Sequence, residues 1–329
     1  MTVDVETVVP ADAGASTSGV LEVFVGTWNL HAQTPGDDLS TFIPVGRYDV
    51  YAIGTEECGQ SMQVAMVYDD KSKWERQLSE HLGPDMALLQ SATLNAIHLV
   101  VFVRKRLLAV VTDLSSASVA TGIGNVIGNK GGVGIAARFG ATTIAFVNCH
   151  FHAHDSAVEQ RNSDYHAINE QLALAGRNGR LTSDAFDVVF WFGDLNYRIE
   201  GGRRMIDSLL RHGMLEVMMA NEQLAREMRK GAVFAGFLEG PIDFLPSYKF
   251  DKNSDVYDSS PKQRVPSWTD RILWRSNRHV TQVKYGSVAN LRTSDHRPVY
   301  ATFRVQCDAP DPALSPSAAD KARPYCLVQ

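Results

Sequence analysis

The sequence has few cysteines, and none stands at the spacings that cysteine chemistry requires. The four cysteines, Cys58, Cys149, Cys307 and Cys326, form neither a metal-binding pair nor a disulfide framework, so we expect a reducing compartment. No apolar run approaches the roughly eighteen residues of a membrane span. The first residues show no basic stretch followed by an apolar one, so a signal peptide is not expected either.

Two catalytic motifs are also missing. There is no G-x-x-x-x-G-K-[ST] loop, so binding of a nucleoside triphosphate is not indicated. There is no G-x-S-x-G elbow, which weighs against a serine hydrolase. The formal net charge of −5 argues against a general nucleic-acid binder, because such proteins normally carry a basic surplus.

The charge that is present is unevenly distributed. Residues 247–297 contain ten Lys or Arg against five Asp, a local balance of +5 that leaves −10 for the rest of the chain. A basic segment in an acidic chain indicates a local anion site, although a solvated loop would also explain it.

Short strands dominate the predicted secondary structure. Runs of β-branched and aromatic residues predict strands at 21–28, 49–56, 98–104, 133–139, 143–151, 187–194, 271–274 and 298–305. Apolar residues at helical spacing predict helices over 72–82, over 157–174 and over roughly 205–230. Because strands outnumber helices and occur in neighbouring runs, the pattern favours packed sheets flanked by helices over a parallel nucleotide-binding fold.

Polar side chains follow many of these strands. They are Asn29, Glu56, Glu57, His150, His152, His154, Asp194, Asn196, Asp270, Asp295 and His296. Taken singly, each is more often a turn residue or a satisfied surface or core group. Their recurrence at strand ends indicates an active site, because catalytic groups lie on loops held by a rigid scaffold. In the run GDLN, strand alternation predicts that Asp194 and Asn196 point to the same side.

The residue types indicate the chemistry. Oxygen donors without a cysteine or histidine cage suit Mg²⁺, which takes one or two protein carboxylates and leaves other positions to water and substrate phosphate. A histidine beside an aspartate suits an oriented imidazole that donates to a phosphoryl oxygen. Metal-assisted hydrolysis of a phosphate ester fits these residues best.

Several longer motifs carry a family resemblance. GTWN, VNCH, WFGDLNYR, PSYK, KQRVPSWTDRILW and SDHRPV occur in this order, and the chain resembles inositol polyphosphate 5-phosphatases from residue 21 to about 305. GDxN and SDH alone would indicate only the wider superfamily, which includes DNase-I-like endonucleases and neutral sphingomyelinases. NKGGV, WFGDLNYR, PSYK and R-x-P-x-W-x-D-R-I-L are specific to the 5-phosphatases.

The resemblance implies a fold and a domain organisation. The fold is of the α/β (α+β type) class: a four-layer α/β/β/α sandwich of two mostly antiparallel sheets, DNase-I-like. The domains expected are a flexible N-terminus at 1–19, a catalytic domain at 20–305 and a flexible tail at 306–329. The catalytic domain is expected to be monomeric and to bind no nucleic acid.

The resemblance also implies catalytic roles. Asn29 and Glu57 match the Mg²⁺ site, and Asp194 matches the group that orients and deprotonates the attacking water. Asn196 would help to hold that water or the phosphoryl oxygens. His296 matches the imidazole on the scissile phosphate, and Asp270 matches the aspartate that orients it. Asp295 would support the metal and nucleophile region, and His150 matches a second imidazole at the phosphate.

Substrate contacts are implied in the basic segment. Tyr248, Lys249, Lys262 and Arg264 match residues that hold the 4-phosphate of the inositol ring, and Lys130 is a candidate for a phosphate or membrane contact. The alternative for Lys249 and Arg264 is a solvated loop. The implied substrate is a phosphoinositide such as PI(4,5)P2 or PI(3,4,5)P3, or else soluble inositol 1,4,5-trisphosphate.

Two positions depart from the family pattern. Glu56 stands where the family usually has Gln, which leaves open whether Glu56 or Glu57 binds the metal. His152 stands where small or apolar residues are common. Two other classes stay open as alternatives: another hydrolase of the superfamily, and a catalytically silent phosphoinositide-binding module.

The last four residues, CLVQ, form a C-a-a-X box that is typical of farnesylation at Cys326. A chance occurrence of cysteine at this position is the alternative. If Cys326 is farnesylated, we expect a cytoplasmic protein held peripherally on the cytosolic face of a membrane. Because one prenyl chain anchors only marginally, a second contact would be needed for stable residence.

Overall fold

The computed structural model describes residues 19–33, 35–36, 38–59, 71–122 and 130–308. Of the predicted flanking segments, residues 1–18 and 309–329 lie outside these ranges, and so does the candidate farnesylation site Cys326. In the described ranges, no helix is both long enough and apolar enough to cross a membrane.

The first sheet contains six strands. They are β1 (Gly19–Asn29), β2 (Val50–Glu56), β3 (Met86–Leu94), β4 (Ile97–Arg104), β11 (Val280–Ser287) and β12 (Val299–Cys307). Their order across the sheet is β11-β12-β1-β2-β4-β3. Strands β1 and β2 are parallel, and every other neighbouring pair is antiparallel.

The second sheet also contains six strands. They are β5 (Val111–Ala120), β6 (Gly131–Phe139), β7 (Thr142–His150), β8 (Val188–Asp194), β9 (Leu238–Glu239) and β10 (Asp270–Ser276). Their order is β5-β6-β7-β8-β10-β9. Only β7 and β8 are parallel neighbours, so both sheets are mostly antiparallel, as predicted.

The described helices flank the two sheets or lie in the loops between strands. The α-helices are α1 (Ser72–Leu82), α2 (Val158–Gln171), α3 (Thr182–Ala185), α4 (Arg203–Arg211), α5 (Leu215–Ala220) and α6 (Gln223–Arg229). A 3₁₀ helix covers Lys105–Val110. In α1, Trp74, Leu78 and Leu82 are buried, and the helix ends at Gly83, where φ is +83°.

Alternating side chains bury both faces of each sheet, and β8 shows this most clearly. Phe190 and Phe192 belong to the core between the two sheets. Trp191 belongs to a second core, where it packs against Tyr165 of α2. Because both faces are covered, the strand reads as a continuous apolar run rather than an alternating one. A third core covers the outer face of the first sheet with α1. The layers are therefore α/β/β/α, which confirms the predicted fold class.

The predicted elements were correct except in two respects. All eight predicted strands are present, but β3, β5, β9 and β11 were missed. The single helix predicted over 205–230 is wrong, because three short helices occupy this region. Gly213, with φ of +67°, separates the first two, and the carboxylate of Glu222 accepts from the first backbone N–H groups of the third.

Candidate active site

Strand register brings the predicted site residues to one edge of the sandwich. In the second sheet, Asp194 at the end of β8 is paired with His150 of β7 on one side and with Asp270 of β10 on the other. In the first sheet, Asn29 of β1 is paired with Glu56 of β2. Both parallel pairs end at this edge, where ligands bind in sheets that contain parallel strands.

A hydrogen bond joins the two sheets at the same edge. The amide nitrogen of Asn29 donates to Oδ2 of Asp194 at 3.0 Å and lies 3.4 Å from Oε1 of Glu57. Asn29 therefore connects the predicted metal ligand Glu57 with the predicted water-binding Asp194. The three residues come from β1, from the turn after β2 and from β8.

The turn after β8 differs from the sequence expectation. The strand ends at Asp194, and Asn196 has φ of +56°, so strand alternation does not aim the two side chains. Instead, the backbone N–H of Asn196 donates to Oδ1 of Asp194 at 3.1 Å and closes a tight turn. Gly193 is required before this turn, because a Cβ there would lie 2.1 Å from the carbonyl oxygen of Cys149.

Asp194 is 2% exposed and is surrounded by cations. Burial alone would raise its pKa, but the contact with His150 and the charges of His296 and Lys130 hold the pKa of this carboxyl well below its usual range. The side chain is therefore ionised at neutral pH. Such a weak base is better suited to orient a water molecule than to remove a proton from the water and hold that proton.

His150 stands between a cation and this anion. Its Nε2 atom lies 2.5 Å from Nζ of Lys130 and 3.3 Å from Oδ2 of Asp194. Burial lowers the pKa of Lys130 to about 8, against the opposing charges of Asp194 and Glu57. The structure thus places Lys130, which the sequence suggested as a phosphate or membrane contact, directly against the predicted second imidazole.

His296 and Asp270 form an oriented pair. Nδ1 of His296 lies 2.9 Å from Oδ2 of Asp270, and that oxygen also accepts from the hydroxyls of Ser247 and Thr269 at 2.6 and 2.9 Å. Burial would lower the pKa of His296, but the carboxylates of Asp270, Asp194 and Asp295 raise it to about 10. The imidazole is therefore a cation at neutral pH, with Nδ1 committed to Asp270.

The two candidate metal ligands at the end of β2, Glu56 and Glu57, have opposite environments. Glu56 is fully buried, and the hydroxyl of Thr27 donates to its carboxyl group at 3.2 Å. Burial, together with the charges of Asp194 and Asp270, raises the pKa of Glu56 well above its usual range. The side chain of Glu57 is 42% exposed and lies beside Asn29. Glu57 is accordingly the carboxylate that a cation can reach.

The donor set at this edge fits a hard cation such as Mg²⁺. Glu57 contributes a reachable carboxylate and Asp194 a second one, and the amide nitrogen of Asn29 faces both. The amide oxygen of Asn29 accepts from the backbone N–H of His31 and keeps a second lone pair for a cation. Donor atoms of Asp194, Asp270 and His296 also lie within 4.8 Å of one another. Within that trio, Nδ1 of His296 is bonded to Asp270, so the imidazole and this carboxylate also form a hydrogen-bonded pair.

A basic cavity of about 570 Å³ adjoins these residues. The four predicted 4-phosphate contacts all line it: Tyr248, Lys249, Lys262 and Arg264. Nζ of Lys249 donates to Oδ2 of Asp295 at 2.8 Å, so Asp295 borders the cavity as well. The loop that holds the cations is closed by Asp258, whose carboxylate accepts from the backbone N–H of Arg264 at 2.7 Å.

Two residues at the site have no counterpart in the sequence-based assignment. His31 lines the cavity and lies 3.3 Å from Oδ1 of Asp295, while its backbone N–H donates to the amide oxygen of Asn29 at 3.0 Å. Arg198 contacts Asn196 and the ring of Tyr248. Both follow a predicted site residue by two positions in the chain, and Arg198 is also the last residue of the motif WFGDLNYR.

The chain is similar to known proteins in sequence and fold. Residues 26–302 match the model of Endonuclease/Exonuclease/phosphatase family 2. The chain is 41% identical over 304 residues to phosphatidylinositol polyphosphate 5-phosphatase type IV of Pan troglodytes, which covers 86% of this chain and 46% of that protein. It is 36% identical over 294 residues to type II inositol 1,4,5-trisphosphate 5-phosphatase of Mus musculus, covering 86% of this chain and 29% of that protein.

A solved structure gives the same result. The inositol polyphosphate 5-phosphatase domain of SpSynaptojanin, in complex with inositol (1,4)-bisphosphate and calcium ion, superimposes with a TM-score of 0.78 at 32% identity. The match covers 88% of this chain and 87% of that domain. The chain belongs to the inositol polyphosphate 5-phosphatase family, within Endonuclease/Exonuclease/phosphatase family 2. It spans about half the length of the type IV relatives that it matches.

Proposed function

We propose that the protein hydrolyses the 5-phosphate of phosphoinositides such as PI(4,5)P2 or PI(3,4,5)P3 in a Mg²⁺-dependent reaction. The observation that carries the proposal is the juxtaposition of two groups. An anionic carboxylate, Asp194, lies among cationic side chains at the strand ends, and a cavity lined by Lys249, Lys262 and Arg264 opens beside it. The cations around Asp194 suit the scissile phosphate, and the cations that line the cavity suit a neighbouring phosphate.

The reaction is in-line attack of water on a phosphate monoester. Its transition state is loose, so positioning and charge neutralisation supply most of the catalysis. In the proposed reaction, the carboxylate of Asp194 orients the water. The second amide hydrogen of Asn196 contacts a phosphoryl oxygen, because the first is donated to the carbonyl oxygen of Phe151 at 3.1 Å.

The imidazolium of His296 supplies positive charge to the same phosphoryl group. Its Nδ1 atom is held by Asp270, so the Nε2 hydrogen is the one available to the substrate. On the other side of Asp194, the ammonium group of Lys130 lies against the imidazole of His150 and adds a second positive charge. Strand register fixes Asp194, Asp270 and His150, which contact these cations, so the charges need little reorganisation during the reaction.

Glu57 and Asn29 are the residues that would hold Mg²⁺, and Asp194 lies beside them. When bound, such an ion would neutralise phosphoryl charge and help to generate the attacking hydroxide. The calcium ion in the SpSynaptojanin complex supports a cation site in the family.

The basic cavity gives the selectivity. In this proposal Lys249, Lys262 and Arg264 hold the 4-phosphate while the 5-phosphate lies at Asp194, which orients the inositol ring. The relatives support both lipid and soluble substrates, since one is named for phosphatidylinositol polyphosphates and another for inositol 1,4,5-trisphosphate. Hydrolysis of soluble inositol 1,4,5-trisphosphate is therefore the second candidate activity.

A membrane location is part of the proposal. Farnesylation of Cys326 in the CLVQ box would keep the enzyme on the cytosolic face of a membrane, close to a lipid substrate. The basic cavity would provide the second contact that a single prenyl chain requires.

Phosphate release from a substrate panel tests the function. The panel contains PI(4,5)P2 and PI(3,4,5)P3 in vesicles and soluble inositol 1,4,5-trisphosphate, each with Mg²⁺ and with EDTA. We expect Mg²⁺-dependent release, faster from the lipids than from the soluble headgroup. Faster turnover of the soluble headgroup would favour the second candidate, and no release from any member would contradict both.

A further inference from the structure

Arg198 lies four residues after Asp194 and has an unusual set of contacts. Its side chain is 4% exposed. Nε donates to the backbone carbonyl oxygen of Asn196 at 3.0 Å, and Nη2 donates to the side-chain oxygen Oδ1 of Asn196 at 2.5 Å. On its other side, the guanidinium carbon lies 4.4 Å from the centre of the Tyr248 ring.

This buried charge has no acidic partner in the described part of the chain. Its contacts are an amide, a carbonyl and an aromatic face. By contrast, the buried guanidinium of Arg271 pairs with the carboxylates of Glu222 and Glu239. A buried charge without a counter-charge is costly. We therefore expect a function of Arg198 in its contacts with the site residue Asn196.

The first consequence of Arg198 concerns the amide of Asn196. With Oδ1 facing the guanidinium, Nδ2 donates to the carbonyl oxygen of Phe151 and keeps one free hydrogen. If the side-chain amide of Asn196 were flipped, its N–H groups would face the N–H groups of Arg198, and its oxygen would face the carbonyl oxygen of Phe151. Arg198 thus ensures that a hydrogen-bond donor faces the phosphoryl oxygens.

The second consequence concerns the ring of Tyr248. Its centre lies 4.5 Å from the centre of the His296 ring, so guanidinium, phenol ring and imidazole form one continuous series. Contact between a guanidinium and an aromatic face is attractive and restricts the ring. The backbone of Arg198 is itself fixed by Gln223, which accepts from its N–H at 2.9 Å and donates to its carbonyl oxygen at 2.9 Å.

We propose that Arg198 is a positioning residue of this site: it sets the amide orientation of Asn196 and supports Tyr248 against His296. The inference rests on the proposed function, because the roles of Asn196 and His296 are assigned there. Arg198 is thereby added to the proposed site as a residue that acts through Asn196 and Tyr248.

The first test is Arg198→Lys, which keeps the charge but loses the planar fork that makes two bonds to Asn196. We expect kcat on inositol 1,4,5-trisphosphate to fall by about 10²-fold, the usual cost of a misplaced catalytic group, with KM changed less than about threefold. The matched control is Arg177→Lys. Arg177 is half-buried and donates to the backbone oxygens of Glu170, Leu172 and Arg180, and it contacts none of the site residues. Its variant should lower Tm while retaining kcat within about threefold.

A double-mutant cycle then separates positioning from general stability. Because Arg198 acts partly through the amide, Arg198→Lys should cost at least about threefold less in an Asn196→Ala background than in wild type, and the remaining loss measures the support of Tyr248. An equal loss in both backgrounds would overturn the proposal, and so would near wild-type kcat in Arg198→Lys alone. If the lysine variant does not fold, Arg198→Gln is read in the same way. Failure of both variants to fold would identify Arg198 as a folding residue and would also overturn the proposal.

The cycle is repeated on binding of inorganic phosphate, measured by calorimetry, so that the two proposals can fail separately. Phosphate binding with coupling between Arg198 and Asn196, but without hydrolysis of any inositol phosphate, would contradict the proposed function alone. Hydrolysis without this coupling would contradict the role of Arg198 alone. The absence of both binding and hydrolysis would contradict both.

Discussion

Asp194 and Glu56 show how position decides the state of a carboxyl group. Both are buried at the same edge of the sandwich, yet the cations around Asp194 keep it ionised, whereas Glu56 has only neutral partners and nearby anions. Opposite environments of this kind often separate the roles of two carboxyl groups in an active site. At the residue scale, therefore, Asp194 can act on water, while Glu56 serves as a neutral support.

Replacement of Asp194 tests the first of these roles. Asp194→Asn keeps the shape of the side chain but removes the charge that orients the water. We expect kcat to fall by at least about 10²-fold while Tm changes little. Initial rates of phosphate release and a thermal melt check this. A folded variant with near wild-type turnover would exclude Asp194 from catalysis.

Replacement of Glu56 tests the second role. Glu56→Gln replaces a neutral acid by an amide of similar size, so kcat should stay within about threefold of wild type. The raised pKa of Glu56 also has a consequence for stability. The contribution of Glu56 to the free energy of unfolding is fully present below the pKa of the unfolded state, about 4.3. This contribution is lost as the pH rises above that value.

The amide in Glu56→Gln does not titrate, so its Tm should exceed that of wild type by a margin that grows from pH 5.5 to pH 8. Thermal melts in EDTA measure this margin without a metal contribution. A margin that stays constant with pH would mean that Glu56 is charged in the folded protein.

The pair of His296 and Asp270 gives a pH prediction of the same sign in a higher pH range. Because the pKa of His296 is raised from 6.5 to about 10, its stabilisation is complete below about pH 6.5 and is lost as the pH rises through about 10. In Asp270→Asn, the alkaline fall of kcat should move to lower pH by at least about one unit. The control Asp187→Asn removes a carboxylate that bonds Thr143, far from the site, and should leave the profile unchanged.

At the scale of elements, the sequence indicated some strands far better than others. β8 and β4 were predictable because burial on both faces leaves uninterrupted apolar runs. β3 and β5 were missed, since they read MALLQSATL and VTDLSSASVA and are mostly half-buried at sheet edges. Their pairing with neighbouring strands, rather than local preference, makes them strands.

The candidate site was predictable for a related reason. Its residues stand at strand ends, and motifs fix their types, but their mutual distances depend on the register of two sheets. That Asn29 bonds Asp194, or that Arg198 contacts Asn196, could not be derived from local sequence. The order of the strands had to be known first.

The loop that lines the basic cavity carries its own prediction. Within the described residues Arg264 has no ion pair, so Arg264→Ala removes only a cation, whereas Lys249→Ala also leaves Asp295 without its lysine. Each charge-assisted contact contributes roughly 1.5–3 kcal/mol, so kcat/KM on 4,5-bisphosphates should fall by about one to two orders of magnitude. Substrates without a 4-phosphate should be affected much less. Equal losses on both substrate types would mean that these residues hold the fold or the 5-phosphate.

At the scale of the whole molecule, the proposed lipid substrate requires the enzyme to reach a membrane surface. The chain has a net charge of −5, and the basic segment is the part that an anionic leaflet attracts. Cys326→Ser should move the protein from the membrane fraction to the soluble fraction and leave turnover of a soluble headgroup unchanged.

Gln329→Ser is the matched control for Cys326→Ser, because it retains a farnesylation box. It should leave the protein in the membrane fraction. Mass measurement of the C-terminal peptide identifies the modification. An unmodified Cys326, or an unchanged distribution in Cys326→Ser, would show that the box does not anchor the protein.

The position of the phosphate that leaves the ring tests the central claim most directly. Inositol 1,4,5-trisphosphate is incubated with the protein and Mg²⁺, and the product is identified by ³¹P NMR, with Asp194→Asn as the inactive control. We predict inositol 1,4-bisphosphate and one equivalent of inorganic phosphate. Loss of the 1- or 4-phosphate, or an equally active control, would contradict this account.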